Sequence, residues 1–240
     1  MEVINYLLGY ENLKIYQNTD MFNFSLDSVL LPNFVSLSKK TKRILDIGTG
    51  NAVIPIILST KTDAKIDAVE IQKDVYELGK KSIKLNKLEN RINILNQDIK
   101  EFSKNSETDV YDIITCNPPF FKVNAESKTN IIDYKTIARH EVTLNLEDIM
   151  KISKKLLKNN GLLAIVHRTD RLIDIISLMR ENNIEPKKIR FIYPKKNAES
   201  NIVLVEGSKN GKPGLKIMSP LISHNDNDEY TEELKKYFVD

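Results

Sequence analysis

Between Lys42 and Glu206 the chain alternates short apolar runs with stretches of helical periodicity, and this alternation restricts the possible folds more than any other feature. "KRILDIG", "AKIDAVEI", "RINILNQDI", "VYDIITC" and "LLAIVH" read as strands. "NAVIPIILST", "KDVYELGKKSIKLNKL", "LEDIMKISKKLLKNNG" and "DRLIDIISLMREN" read as helices. Pro55 falls in a first turn, where its missing N–H is tolerated, and Gly161 is expected as a C-terminal cap. Strands joined through helices run parallel and are covered on both faces. "KKIRFIYP" and "NIVLVEG" have no helix-length segment between them, so they are expected to pair antiparallel. The expected fold is α/β, a doubly wound, mostly parallel sheet of seven strands with the last strand antiparallel. Residues 1–40 read as a short extension, extended over "LKIYQNTDMFNF" and helical over "SLDSVLLPNFVSL" from an N-cap at Ser25. Residues 41–240 are the main domain.

Composition excludes more than it selects. The 240 residues suffice for one large α/β domain, and a hydrophobic content of 41% can supply its core. No apolar run approaches the roughly 18–20 residues of a membrane helix. The first residues lack the basic and apolar pattern of a signal peptide. A single cysteine, Cys116, rules out an internal disulfide and a cysteine-built zinc cage. A cytoplasmic protein without a metal is therefore expected. The net charge of +3 decides nothing about partners.

"DIGTGN" (Asp46 to Asn51) joins a strand to a helix, and its glycines permit a tight turn that a ligand can approach closely. Glu70 ends the next strand about twenty residues on, where a ribose-binding acid is expected. The third glycine of a dinucleotide fingerprint is missing, since Val53 stands there. An acid such as Asp46 beside the turn suits a ligand carrying an amine or a cation rather than a pyrophosphate. S-adenosyl-L-methionine carries both. Asp98, at the end of the third strand, can accept from an adenine amino group, with Ile99 and Ile71 against the ring. Asp46, Gly48, Gly50, Glu70, Ile71, Asp98 and Ile99 are thus the candidate cofactor residues.

The fourth strand ends in Asn117, Pro118, Pro119, Phe120 and Phe121. Two prolines remove two backbone donors and stiffen the exit. With this motif the chain resembles Rossmann-like class I S-adenosylmethionine-dependent methyltransferases that act on amino groups, which carry (Asn/Asp)-Pro-Pro-aromatic at this place. The exocyclic amine of a base is a poor nucleophile because its lone pair is delocalised. If the Asn117 side-chain oxygen and the Pro118 carbonyl accept its two N–H bonds, the nitrogen is held with its lone pair toward the methyl donor. Phe120 then stacks on the flipped base.

The motif does not choose among adenine, cytosine, guanine and glutamine. "YQNTDMFNFSLDSVLLPNF", "ARHE" and "SPLISHNDNDEYTEEL" extend the likeness over nearly the whole chain and resemble the bacterial valine-tRNA (adenine-37-N6)-methyltransferase family. That resemblance implies N6-methylation of an adenosine in tRNA, at position 37 beside the anticodon, with the anticodon loop as partner. It also implies that Phe24 and Asp27 lie over the methionine end of the cofactor, where Asn117 also belongs, and that Arg139 and His140 lie near the target base. Phe121 is a candidate second stacking ring. Lys187, Lys188 and Arg190 are candidate phosphate contacts. Protein glutamine-N5 methylation of the release-factor type, ribosomal RNA guanine-N2 methylation and DNA adenine methylation are the competing substrate classes. The oligomeric state is left open.

Overall fold

The computed structural model describes residues 1–8, 10, 12–19, 26–118 and 144–238. Its centre is a sheet whose strands appear in the order β5 (Ile92–Asn96), β4 (Lys65–Glu70), β3 (Arg43–Ile47), β6 (Tyr111–Cys116), β7 (Leu157–Arg168), β9 (Ile202–Lys209) and β8 (Ile184–Tyr193). β3 to β7 pair in parallel, whereas β9 lies antiparallel between β7 and β8. The seven expected strands and the reversed last one are present. Two short strands, β10 (Lys216–Ile217) and β11 (Leu221–Ile222), extend the β8 edge to give nine.

Alternation along the strands divides the core. Ile44 of β3 faces one hydrophobic cluster with α1 (Leu26–Phe34) and α2 (Val53–Lys61). Leu45 and Ile47 face the other, with α5 (Leu146–Leu156) and α6 (Leu172–Glu181). Each face buries branched aliphatics, which supply the main driving force for folding. Between β4 and β5 runs α3 (Lys73–Leu85), and α4 (Ile99–Asn105) links β5 to β6. α4 has no counterpart among the expected helices. The Gly161 cap is a correction: α5 ends directly at an extended Leu157, and Gly161 lies within β7. Asn160 takes the left-handed conformation there, with φ 63°.

The described residues among the first forty join this core. β1 (Glu2–Tyr6) and β2 (Lys14–Asn18) form an antiparallel hairpin. The outer edge of β2 bonds to side chains of α3: Tyr16 N–H donates to Ser82 Oγ at 2.9 Å, and Lys14 N–H to Asn86 Oδ1 at 3.1 Å. Leu7, Tyr10, Ile15 and the apolar residues of α1 belong to the α2-side cluster. Late in the chain, α7 (Glu232–Lys235) packs beneath β11, and its Leu234 enters the same cluster. Among the described residues no helix is long and apolar enough to cross a membrane.

Candidate active site

β3 sits between β4 and β6, so the chain leaves it in one direction and later returns to its other side. The crevice at the carboxyl ends of β3 and β6 is the topological switch point, the usual ligand position in an open α/β sheet. Two local features meet there: the glycine turn after β3 and the asparagine after β6.

Gly48 and Gly50 have φ of 65° and 61°, left-handed values that favour glycine. A Cβ added to either would meet nothing within 4 Å, so the turn borders open space. Glu70 closes the turn from the neighbouring strand. Its Oε2 accepts from Gly50 N–H at 3.0 Å and its Oε1 from Gln72 N–H at 2.9 Å. Gly79 of α3 is the glycine that sequence reasoning missed. A Cβ there would lie 2.9 Å from the Gly50 carbonyl oxygen and 2.7 Å from Ile94, so α3 can approach the turn only because position 79 has no side chain. An isolated glycine inside a helical pattern was the available signal.

Asp46 pairs across the switch point with Thr115, its register partner on β6. Thr115 Oγ1 donates to Asp46 Oδ1 at 2.5 Å, whereas the buried Oδ2 has no partner among the described residues. Burial pushes this carboxyl up to about 7, against the lowering effect of the Thr115 hydroxyl. No cation faces the acid among the described residues, and its second oxygen is left without a donor. Gly48, Ile71, Asp98 and Ile99 line one shallow cleft beside the turn. Asp98 caps α4, its Oδ1 accepting from Lys100 N–H at 2.7 Å, while Ile71 stays 42% exposed at the cleft mouth.

Asn117 follows β6 beside a buried Pro118. Its Nδ2 donates to Ser28 Oγ of α1 at 3.1 Å. Asp27 is the neighbouring residue on α1 and is partly buried. Phe24, Pro119, Phe120, Phe121, Arg139 and His140 lie outside the described residues.

Two of the three cations of β8 are engaged within the fold. The Arg190 side chain is buried, with its Nε donating to the Ser219 carbonyl at 3.1 Å and its guanidinium paired with Glu233. Lys188 is likewise engaged internally. Its ammonium bonds to the Phe34 carbonyl and Ser36 Oγ, each at 2.6 Å, and lies 3.4 Å from the buried Glu206. A charge held by internal partners is not offered to a phosphate. Lys187 is more open, with its ammonium on the Lys212 carbonyl. A wider groove at the amino-terminal edge of the sheet is lined by Arg43, Lys65 and Asp67, but those groups already bond to one another or to backbone.

The family model described as "Methyltransferase small domain" matches residues 25–182, from the approach to α1 through α6 and its C-cap. The chain belongs to the methyltransferase small domain family. Among curated relatives of this methyltransferase, a Parabacteroides distasonis protein is 27% identical over 96% of each chain. One from Flavobacterium psychrophilum is 27% identical over 95% of each. Both are named "tRNA1(Val) (adenine(37)-N6)-methyltransferase". Among solved structures, a predicted O-methyltransferase of Agrobacterium tumefaciens superimposes with a TM-score of 0.70 at 18% identity, covering 89% of this chain and 97% of its own. Geranyl diphosphate C-methyltransferase of Streptomyces coelicolor, solved with S-adenosyl-L-homocysteine, gives 0.58 at 8% identity and 76% of each chain. These establish the class I methyltransferase fold.

Proposed function

We propose that this protein transfers a methyl group from S-adenosyl-L-methionine to N6 of an adenosine in tRNA, at position 37 beside the anticodon. The observation that carries the reading is the Asn117–Pro118 exit of β6 at the switch point, across from the glycine turn and the unpartnered Asp46 oxygen. Whole-length similarity to relatives named for this reaction supports the substrate class.

The residues present fit the cofactor. The open face of Gly48 and Gly50 leaves room for it, and the orphaned Asp46 Oδ2 suits an ammonium. Glu70 would accept from ribose hydroxyls, and Asp98 from the adenine amine between Ile71 and Ile99. When bound, S-adenosylmethionine supplies an electrophilic sulfonium methyl. The protein's own part is positioning. The Asn117 oxygen and the Pro118 carbonyl accept the two N–H bonds of the target amine and fix its lone pair. As the nitrogen gains positive charge, both acceptors stabilise it, and the surplus proton passes to water. Phe120 and Phe121 would stack on the base, with Arg139 and His140 nearby. Residues 1–40 would cover the cofactor side, as the Ser28–Asn117 bond and the bond from Asn51 Nδ2 to the Tyr16 carbonyl suggest.

The test uses labelled cofactor and total tRNA from a strain lacking this protein, followed by nucleoside mass spectrometry. N6-methyladenosine is expected; label in guanosine or in protein would overturn the reading. Asn117→Ala should lower turnover about a hundred- to a thousandfold and leave cofactor affinity close to normal.

A further inference from the structure

We infer that Ser28 is a positioning residue for the transfer reaction, holding the Asn117 amide so that its oxygen faces the target amine. The inference rests on the role proposed for Asn117 and deepens it.

A terminal amide turns easily about its last bond, because that torsion is broad and roughly two-fold. The prolines stiffen the backbone at 118 and 119 but do nothing for this side-chain rotation. In the structure the rotation is taken up by one contact, Nδ2 to Ser28 Oγ at 3.1 Å. With the nitrogen spent on Ser28, the oxygen is the head left over, and no described residue donates to it. That is the head needed to accept from an amine, since an exposed Nδ2 would present donor to donor.

Ser28 can do this because α1 is itself fixed. Just after α1, Ser36 gives its N–H to Glu206 Oε2 and its hydroxyl to Glu206 Oε1, both at 2.7 Å. Val29, Leu30 and Leu31, next to Ser28 in sequence, are fully buried. The amide is therefore steered from a helix packed into the core, 89 residues away in sequence.

The experiment compares Ser28→Ala, Ser28→Thr, Asn117→Ala and the double variant in single-turnover assays on tRNA, with S-adenosylhomocysteine affinity measured in parallel. Ser28→Ala should lower the methyl-transfer rate about tenfold, leave KM for tRNA and cofactor affinity unchanged, and be rescued by Ser28→Thr. In the Asn117→Ala background the serine substitution should have no further effect. An unchanged rate in Ser28→Ala would overturn the inference. So would a full tenfold loss persisting without Asn117, or a loss matched by weaker cofactor binding. If Ser28→Ala does not fold, Ser28→Cys keeps the bulk with a weak acceptor and should show the same loss. A normal rate in Asn117→Ala is a different result, because it removes the role of Asn117 itself.

Discussion

Two groups of charged residues sit on strands of the same sheet and behave oppositely. The acids Asp46, Glu70 and Asp98 lie at the carboxyl ends of β3, β4 and β5 and gather around one turn. The cations Lys187, Lys188 and Arg190 lie together in β8, yet Lys188 and Arg190 are tied to internal partners. Connectivity explains the difference. Parallel strands joined by helices put every strand end on one edge, so acids distant in sequence converge there. In β8 neighbouring side chains alternate between faces, and two extra strands with the segment beyond them cover what would otherwise be an open edge. Position along parallel strands therefore brings distant charges together, whereas neighbouring charges along β8 are drawn apart to separate internal partners.

The sharpest way to break that contrast is to remove Glu206. Glu206→Ala should strand Lys188 and cost about 2–4 kcal/mol of stability by denaturant unfolding. A negligible loss would mean that Lys188 is available to a ligand after all. Glu70→Ala comes next: S-adenosylhomocysteine binding should weaken about ten- to a hundredfold in calorimetry, because the turn loses its anchor and the ribose its acceptor.

Asp46 gives a pH signature. Its carboxyl is raised from 3.8 to about 7 in the folded protein. The folded state thus holds a proton that the unfolded chain has released, so this contribution to stability falls as pH rises from about 4 to about 7. An ammonium-bearing ligand needs the ionised form, so its affinity should climb up to about tenfold per pH unit below 7 and level off above it. Asp46→Asn should flatten both curves; persistence of either would move the titration to another group. The smallest effect belongs to Lys187→Ala, which should change the slope of log affinity for tRNA against log salt by less than one.

Much of this was legible in the sequence, for identifiable reasons. The strand and helix periodicities and the missing crossover before the last strand account for the parallel sheet and its reversed last strand, but not for the strand order, in which β9 inserts between β7 and β8. The glycine turn and Asn117 announce themselves through residue types that ordinary strand exits rarely use. What escaped depends on contacts remote in sequence. Ser28 looks like one more residue in a helix until α1 is laid beside β6. Thr115 reads as an ordinary β-branched strand residue until the register sets it against Asp46. The seven residues of α4 carry too few apolar positions for a clear period. Arg190 looked accessible because the segment that buries it begins almost thirty residues later, at Ser219.

The order of strands has a consequence for how the protein is born. β8 is synthesised before β9, yet β9 takes the place between β7 and β8. The helix bearing Ser28 leaves the ribosome early, and Glu206, its latch, follows 170 residues behind Ser36. The brace proposed for Asn117 thus draws on both ends of the chain, a helix from its first forty residues and a carboxylate from one of its last strands.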